Sequence, residues 1–325
     1  MMKAWWIKSA GESMALELRN TAAPQPGPGQ IAVRIRSASL NRGEFIAGHG
    51  LHAAGAARPA GFEAAGEVIA LGVGVHSHAV GERVMGRCDG SFAEQGVMLA
   101  EEAFRVPDCM SWEQAACGYL VYYTVHDALI EQGRLRSGEW LLVPGISSGV
   151  GVAALQVAKA LGAKVFGTSR SEAKLSALRK LGLDMGLRTA LPDFVPAVME
   201  ATRGRGADLA VNPVGGSMFA GCAEALAFEG RLATVGYVDG IVRAEIDLAA
   251  LHKKRLKLFG VSNKLRTTEH RIAACQAFAR DVLPLLKDGS VVPLVDKVFS
   301  FERLPDAQTY MQSSSHLGKI VIRMH

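Results

Sequence analysis

A glycine-rich turn between an apolar run and a helical pattern is the segment of this sequence best suited to chemistry. Residues 139–162 read EWLLVPGISSGVGVAALQVAKALG, an order that predicts a strand, a tight turn and a helix. Such a junction brings unpaired backbone N–H groups and the positive end of a helix dipole to one point, which binds phosphate. Gly149 and Gly151 lack the Cβ atoms that would keep a pyrophosphate from the backbone. We therefore predict phosphate contacts from Gly145, Ser147, Ser148, Gly149, Val150 and Gly151.

Basic residues follow the next predicted strand and extend this interpretation. Residues 163–168 read as the second strand of a βαβ unit, and Ser169, Arg170 and then Lys174 come after it. An NAD enzyme carries an acid here for the ribose 2′-hydroxyl. The residues present can instead donate to a 2′-phosphate and neutralise its charge. The pattern favours NADPH as the cofactor, against the alternative of an ordinary loop with solvated basic side chains.

The elements that position this turn form an alternating series. From about residue 111 to 265, strand-like and helical runs alternate and are rich in Val, Ala and Leu, which predicts a doubly wound parallel sheet. The predicted strands are 140–143, 163–168, 207–212, 230–235 and 256–261, with helices at 171–181 and 217–226. The carboxyl ends of such strands line a ligand crevice. We therefore expect further cofactor contacts from Asn212, Gly236, Tyr237, Ser262 and Asn263.

The two ends of the chain differ from this middle region. The first hundred residues contain short β-like runs separated by turns, which predicts a compact β-rich domain. A helix at 271–287, a strand at 291–299, a helix at 304–312 and a strand at 319–323 are expected to complete it. The predicted domains are residues 1–118 together with 267–325, and a nucleotide-binding domain at 119–266.

Composition narrows the class of protein. The 325 residues exceed the usual size of a single core, which favours two domains. The net charge of +5 is spread out, and the only basic block, residues 252–255, reads as a solvated helix end, so no nucleic-acid partner is expected. Five scattered cysteines without a C-x-x-C pair indicate reduced thiols. With no apolar stretch of 18 residues and no signal-peptide pattern, we expect a soluble, cytoplasmic protein without a membrane partner.

Several short motifs occur together in a recognisable order. They are residues 26–30 (PGPGQ), 39–41 (SLN), 61–66 (GFEAAG), 80–84 (VGERV), 90–94 (GSFAE), 147–151 (SSGVG), 212–216 (NPVGG) and 318–321 (GKIV). On these motifs the chain resembles the medium-chain dehydrogenase/reductase superfamily, in its zinc-free quinone oxidoreductase (zeta-crystallin-like) branch, over nearly its full length. The resemblance implies a GroES-like catalytic domain built from both chain ends around a central Rossmann domain, and a homodimer. It also implies a cofactor contact from Lys319.

Departures from the zinc-dependent relatives argue against a metal. Asn41 and Phe62 stand where the zinc alcohol dehydrogenases have a cysteine and a histidine ligand, and phenylalanine cannot bind a metal. The segment 86–90 is too short for the four-cysteine structural zinc lobe. Cys117, near the place of the third ligand, is interpreted as a small buried hydrophobic residue. No metal is expected.

The remaining candidates concern the acceptor. Without a metal or a nucleophile–base pair, the chain is suited to hydride transfer from NADPH to an electron-poor acceptor such as a quinone. The resemblance implies that Asn41 and Thr124 face the nicotinamide and the acceptor. The alternatives are a turn residue for Asn41 and a helix residue bonded to its own backbone for Thr124. Tyr122 and Tyr123 are either proton sources or aromatic packing.

Two other functions remain open on the sequence. Reduction of an activated alkene, as in enoyl or 2-alkenal reductases, needs a positioned acid, and Arg42 stands where such relatives often have a tyrosine. A non-catalytic NADPH-binding protein of the same fold is the second alternative. Loop 48–59, with His49 and His52 expected in solvent, does not identify the acceptor.

Overall fold

The structure is a computed structural model that describes residues 1–10, 13–46 and 57–325. The expectation for His49 and His52 lies outside the described residues. The chain divides into two compact units, residues 1–121 with 266–325, and residues 122–265. We call them the terminal unit and the central unit.

The bounds of the regular elements in the described chain are as follows. The strands are β1 (Met2–Ala10), β2 (Ser13–Thr21), β3 (Gln30–Ser39), β4 (Arg58–Pro59), β5 (Glu63–Leu71), β6 (Arg83–Arg87), β7 (Gln95–Leu99), β8 (Ala103–Arg105), β9 (Trp140–Val143), β10 (Lys164–Ser169), β11 (Met185–Arg188), β12 (Ala207–Asn212), β13 (Leu226–Thr234), β14 (Lys257–Gly260), β15 (Val295–Ser300) and β16 (Lys319–Arg323). The helices are α1 (Trp112–Ala116), α2 (Leu120–His126), α3 (Gly149–Ala160), α4 (Glu172–Arg179), α5 (Val195–Ala201), α6 (Gly216–Glu224), α7 (Leu248–Lys254), α8 (Thr268–Asp281), α9 (Leu283–Lys287) and α10 (Leu304–Gln312). None of the helices in the described chain has the length and apolar character that crossing a bilayer requires.

The central unit is a six-stranded sheet in the order β11-β10-β9-β12-β13-β14, and every neighbouring pair is parallel. The chain moves outward from β9 to β11 and then returns to β12 on the other side of β9. Strand order therefore reverses between β9 and β12, which is the switch point of a doubly wound sheet. Apolar residues such as Leu142, Phe166, Ala210 and Leu232 pack in its core. This arrangement confirms the predicted Rossmann fold.

The terminal unit is built mainly of antiparallel strands. One sheet has the order β15-β16-β3-β5-β6-β8, with β7 also paired to β3, and a smaller sheet has the order β2-β1-β4. Strand β16 lies between β15 and β3, so the last strand of the chain is internal to a sheet that the first hundred residues begin. Ile31, Val33 and Ile35 alternate along β3 and are buried in the core, as the period of two in a strand requires. This unit is the β-rich, GroES-like part of the predicted fold class.

Several predicted elements differ in detail from the observed ones. The helix predicted at 271–287 is two helices, because Pro284 has no N–H to donate and fits only the first turn of a new helix, α9. Strand β13 begins at Leu226, four residues before its predicted start at 230. Strand β11 is not predicted, because its sequence, MGLR, has no clear strand pattern. The strands at 140–143, 207–212 and 319–323 and the helix at 304–312 have the predicted bounds.

Candidate functional site

The turn after β9 is tied to the neighbouring strand β10. Gly145 has a φ of +65°, a left-handed conformation that favours glycine. Its N–H donates to Thr168 Oγ1 at 3.3 Å, and the N–H of Ile146 donates to the Thr168 carbonyl at 3.0 Å. Ile146 is buried. These contacts fix the turn from which α3 begins.

Helix α3 begins very close to this turn. The Ser148 hydroxyl caps it by accepting the N–H of Gly151 at 3.1 Å, so its own proton remains available to an anion. A Cβ on Gly151 would lie 2.5 Å from the carbonyl oxygen of Ile146. Only glycine therefore permits this approach. The result is the predicted cradle, in which Gly149, Val150 and Gly151 form the first turn of α3 with N–H groups that have no partner within the helix.

At the end of β10, Ser169 is buried and holds its own loop. Its hydroxyl donates to Ser147 Oγ at 3.5 Å and accepts the N–H of Ser171 at 3.3 Å. Ser171 caps α4 by accepting the N–H of Lys174. Arg170 is exposed, and within the described chain it makes no hydrogen bond or ion pair. The guanidinium is therefore the group at this strand end that is free to bind an anion.

A second arginine lies beside this strand end and was not found from the sequence. Arg188 closes β11 and lies opposite Ser169 in the register of the two parallel strands. The N–H of Thr189 donates to the Ser169 carbonyl at 3.0 Å, so the two strand ends are joined. Arg188 is also exposed and makes no ion pair with any described residue. The sequence does show a basic residue at position 188. It does not predict β11, however, so this position cannot be identified as a strand end from sequence.

Asn212, at the end of β12, shapes a loop. Its side-chain oxygen accepts the N–H groups of Val214 and Gly215, and its amide donates to the Gly215 carbonyl, at distances of 3.0, 3.1 and 2.8 Å. Asn212 is buried. These bonds to its own loop show how Asn212 supports the start of α6, whereas the sequence predicts a direct cofactor contact.

The other strand-end candidates lie after β13 and β14. Gly236 is buried, and Tyr237 is half-buried with its carbonyl accepting the N–H of Gly240. Ser262 is exposed and accepts the N–H of Lys264 at 3.2 Å. The side-chain oxygen of Asn263 is buried, and no residue in the described part of the chain donates a hydrogen bond to it. Because such an acceptor is costly to leave unpaired, Asn263 fits a ligand that brings an N–H, such as the carboxamide of a nicotinamide.

The terminal unit contains a buried charged cluster around Glu63. One carboxylate oxygen, Oε1, accepts from Lys319 Nζ at 2.9 Å, from Asn41 Nδ2 at 3.1 Å and from the Ser39 hydroxyl at 2.5 Å. The other oxygen accepts the N–H of Leu120 at 2.8 Å. Glu63 and Lys319 are both buried. Every polar atom of this carboxylate therefore has a partner.

Lys319 also binds the residue predicted to be catalytic. Its ammonium donates to Asn41 Oδ1 at 2.6 Å and to the Leu40 carbonyl at 2.9 Å, in addition to Glu63. An ammonium has three protons, and three protein oxygens take them. All three donors of Lys319 are thus engaged within the terminal unit, and the cofactor contact of Lys319 stays a prediction.

The Asn41 amide is fixed on both sides. Its Nδ2 donates to Glu44 Oε1 at 2.9 Å and to Glu63 Oε1 at 3.1 Å, while its Oδ1 accepts from Lys319. With both N–H groups engaged, Asn41 offers a ligand one remaining lone pair on Oδ1. Toward a ligand, the amide is therefore a hydrogen-bond acceptor and not a donor.

Glu44 is a buried acid in the same cluster. Burial raises its pKa to about 8, and the hydrogen bonds from Asn41 and the charge of Lys319 oppose that rise. Its second oxygen, Oε2, is buried and has no hydrogen-bond partner among the described residues. A carboxyl group in this state keeps its proton near neutral pH.

The remaining candidate residues lie on and near α2 or contact α10. The Tyr122 hydroxyl donates to Gln156 Oε1 at 2.6 Å in the central unit, so its proton is already engaged. Tyr123 is buried and Thr124 half-buried. Cys117 is buried, and burial raises the pKa of its thiol to about 12, which agrees with a packing role. Arg42 donates to the Met311 carbonyl at the end of α10.

Comparison with known families agrees with both units. A model described as an alcohol dehydrogenase GroES-like domain matches residues 27–127, and one described as a zinc-binding dehydrogenase matches residues 149–276. Among curated relatives, the human synaptic vesicle membrane protein VAT-1 homolog is 30% identical over 329 residues, covering 96% of this chain and 83% of that protein. A polyketide synthase subunit for phenolphthiocerol and phthiocerol from Mycobacterium tuberculosis is 31% identical over 318 residues. The match covers 97% of this chain but only 14% of the synthase subunit, so the chain spans about one seventh of that relative.

Solved structures share the fold over almost the whole chain. The mycobacterial protein Rv1454c in complex with NADPH has a TM-score of 0.87 at 24% identity, covering 99% of this chain and all of the other. A quinone oxidoreductase from Pseudomonas syringae has a TM-score of 0.85 at 26% identity, with 99% and 100% covered. The CurK enoyl reductase has a TM-score of 0.83 at 22% identity, with 99% of each covered.

The zinc in the description of one matching family does not suit the residues present. A metal bound to Asn41 Oδ1 would lie within about 5 Å of the Lys319 ammonium, given an ordinary metal–oxygen distance and the 2.6 Å contact between them. Two cations at that separation repel each other. Phe62 supplies no ligand atom. The cluster is built for a fixed ammonium.

Proposed function

This chain belongs to the medium-chain dehydrogenase/reductase superfamily, in the branch that contains quinone oxidoreductases, and on that premise we propose that it is a zinc-independent NADPH:quinone oxidoreductase. The observation that carries the proposal is the pairing of the Gly151 cradle with Arg170 and Arg188 at adjacent strand ends. A pyrophosphate suits the cradle, and a 2′-phosphate suits two arginines without ion-pair partners. The complex of Rv1454c with NADPH, a protein of the same fold, supports this choice of cofactor.

The residues that would hold NADPH follow from these contacts. Gly145 and the first turn of α3, with Ser147 and Ser148, would bind the pyrophosphate, while Ser169, Arg170, Lys174 and Arg188 would surround the 2′-phosphate. Asn263 would accept the nicotinamide carboxamide through its unpaired oxygen. NADPH supplies the hydride when bound. The protein's own task is then to hold the acceptor and exclude competing reactions.

Quinone reduction demands little of the protein. The acceptor would gain one hydride, supplied by the bound cofactor, and one proton from solvent, and would leave as a hydroquinone. A quinone is already electron-poor, so neither a metal nor a strong acid has to polarise it, and positioning supplies most of the benefit. Asn41, Thr124 and Tyr123 remain our proposed catalytic residues, with Asn41 accepting a hydrogen bond from the nicotinamide carboxamide or from the hydroquinone product.

Reduction of an activated alkene is the second candidate. The observation that favours it is Glu44, a buried carboxyl whose pKa of about 8 provides an acid of the kind that protonation of an α-carbon requires. The likeness to the CurK enoyl reductase is consistent with it. Against it, Arg42 is bound to the end of α10, and Tyr122 is committed to Gln156. A protein that binds NADPH without turnover is the remaining alternative.

We also propose that two copies associate through the edge of the central sheet. Strand β14 pairs only with β13 among the described strands, and an open edge is a template for further pairing. Apolar side chains are exposed beside this edge, including Leu258 at 39% and Phe228 at 63%. A homodimer would cover both the edge and these side chains.

A panel of acceptors distinguishes these functions. We expect NADPH oxidation, followed by its absorbance, with simple quinones and much less with enals. Faster turnover with enals would favour the alkene reductase. Measurable NADPH binding with no oxidation by any acceptor would favour the non-catalytic protein.

A further inference from the structure

We propose that Lys319 is a positioning residue whose ammonium fixes the orientation of the Asn41 side-chain amide. The proposed function itself gives Lys319 no role. The inference rests on the proposed function in one respect, that Asn41 contributes to turnover.

The geometry leaves the Asn41 amide one orientation. Its oxygen faces the ammonium at 2.6 Å, and its nitrogen faces the Glu44 carboxyl and the Glu63 carboxylate at 2.9 and 3.1 Å. Rotating the amide by half a turn would place N–H groups against the ammonium and the amide oxygen against the Glu63 carboxylate. Both of these contacts would then be repulsive. The charge on Lys319 therefore decides which atom of Asn41 remains for a ligand.

The backbone brings Lys319 to this position. The N–H of Leu40 donates to the Ile320 carbonyl at 3.0 Å, so the start of β16 lies beside the residue that precedes Asn41. Gly318 has a φ of +86°, and a Cβ there would lie 2.5 Å from the Leu294 carbonyl oxygen. Glycine at 318 is thus required for the approach of Lys319 to the cluster.

The burial of the ion pair between Lys319 and Glu63 indicates a role other than stability. Side chains of Lys319 and Glu63 are 5% and 1% exposed. A buried ion pair contributes little net stability, because desolvation of both charges offsets their attraction. What the pair supplies here is a fixed positive charge against Asn41. The site thereby holds its polar residue in place without a metal.

The test compares Lys319→Met with a matched control. Half-buried Arg271 and buried Glu102 form another ion pair of the terminal unit, with Nε and Oε1 2.6 Å apart, and neither residue contacts Asn41. Arg271→Met therefore leaves a buried carboxylate unpaired in the same unit. We expect Lys319→Met to lower kcat with a quinone by roughly 10- to 100-fold, since misplacement of a polar group has effects of that size. Arg271→Met should keep kcat, and both should bind NADPH as the wild type does.

Two further variants separate positioning from stability. Lys319→Arg keeps the charge, so we expect it to recover a large part of kcat. When Asn41 is already alanine, adding Lys319→Met should lower kcat by little more. Both substitutions remove the same contact, so their effects on kcat do not add. Full additivity, or a Lys319→Met variant with wild-type kcat, would overturn the inference.

An NMR measurement tests the contact between Lys319 and Asn41 without relying on turnover. The side-chain amide signals of Asn41 in a proton–nitrogen NMR spectrum, assigned by their loss in Asn41→Ala, report its hydrogen bonds directly. We expect them to move in Lys319→Met and to stay in Arg271→Met, and unmoved signals in Lys319→Met would refute the inference. If Lys319→Met does not fold, Lys319→Met combined with Glu63→Gln removes both charges and takes its place. If the wild type has no turnover, the proposed function fails while this readout still decides the role of Lys319.

Discussion

At the scale of single residues, we propose that the positive charges at the ends of β10 and β11 determine the choice of cofactor. Arg170 and Arg188 are exposed and lack ion-pair partners in the described chain, and Ser169 lies opposite Arg188 between β10 and β11. Hydrogen bonds to charged groups are worth about 1.5–3 kcal/mol. We expect Arg170→Ala to weaken NADPH binding roughly 10- to 100-fold and to leave NADH nearly unchanged.

Dissociation constants for both cofactors on wild type and variant measure this effect. Ser169→Asp should discriminate more strongly, because it adds repulsion against the phosphate. High salt should weaken NADPH more than NADH, since the extra contacts are ionic and exposed. Equal losses for the two cofactors in Arg170→Ala would mean that Arg170 supports the loop and does not bind the phosphate.

The residues that could be predicted from sequence are those whose partners are local. Ser148 caps a helix three residues before Gly151, and Arg170 directly follows its strand, so pattern alone located them. Lys319 meets Asn41 across 278 positions of sequence, and no periodicity carries that information. The resemblance pointed to Lys319 but not to its contact with Asn41. Glu44 was also missed, because its raised pKa arises from burial that only the fold creates.

The junction of turn and helix is the element on which cofactor binding depends. A Cβ on Gly151 would lie 2.5 Å from the Ile146 carbonyl oxygen, so Gly151→Ala has to displace the start of α3. We expect this variant to weaken NADPH by at least about tenfold, because the N–H groups leave their phosphate positions. Gly260→Ala is the control, since a Cβ at Gly260 meets nothing within 4 Å. Calorimetry on both variants measures the change, and unaltered affinity in Gly151→Ala would contradict the cradle.

The short helical turn after Asn41 carries a pH dependence of stability. Its Glu44 has a pKa raised by burial from 4.5 to about 8, so the folded state binds more protons than the unfolded state between these values. The free energy of unfolding should therefore fall as pH rises through this window, by on the order of several kcal/mol at most. Glu44→Gln should remove most of that fall.

Denaturant unfolding of wild type and Glu44→Gln at about pH 5.5 and about pH 8 tests this sign. The difference in unfolding free energy between the two pH values should be smaller in the variant. Equal pH dependence in both proteins would show that Glu44 is ionised in the folded state at neutral pH.

Within the central unit, the buried strands were more predictable than the partly exposed ones. Strands β9 and β12 are buried apolar runs bounded by turn residues, and the structure has them at their predicted bounds. Strand β11 and the early start of β13 were missed, since partly exposed strands of mixed sequence depend on pairing with a neighbour. The fold class was nevertheless correct, because the alternation of strand and helix determines it.

At the scale of the whole molecule, the open edge of β14 predicts a dimer. Leu258→Asp should disrupt it, because a charge on the exposed strand opposes pairing and burial. Leu191→Asp, which changes an equally apolar and more exposed side chain just after β11 at the opposite edge of the sheet, should not. Analytical ultracentrifugation measures the masses. A wild-type monomer, or a dimer that survives Leu258→Asp, would place any association elsewhere.

The central claim, hydride transfer from NADPH to a quinone without zinc, is tested most directly by turnover of the wild-type protein after exhaustive chelation, with metal content measured on the same sample. The Lys319 ammonium beside Asn41 and the phenylalanine at position 62 predict full quinone-dependent NADPH oxidation with no stoichiometric metal. Activity that is lost on chelation and returns with one equivalent of zinc would contradict the account.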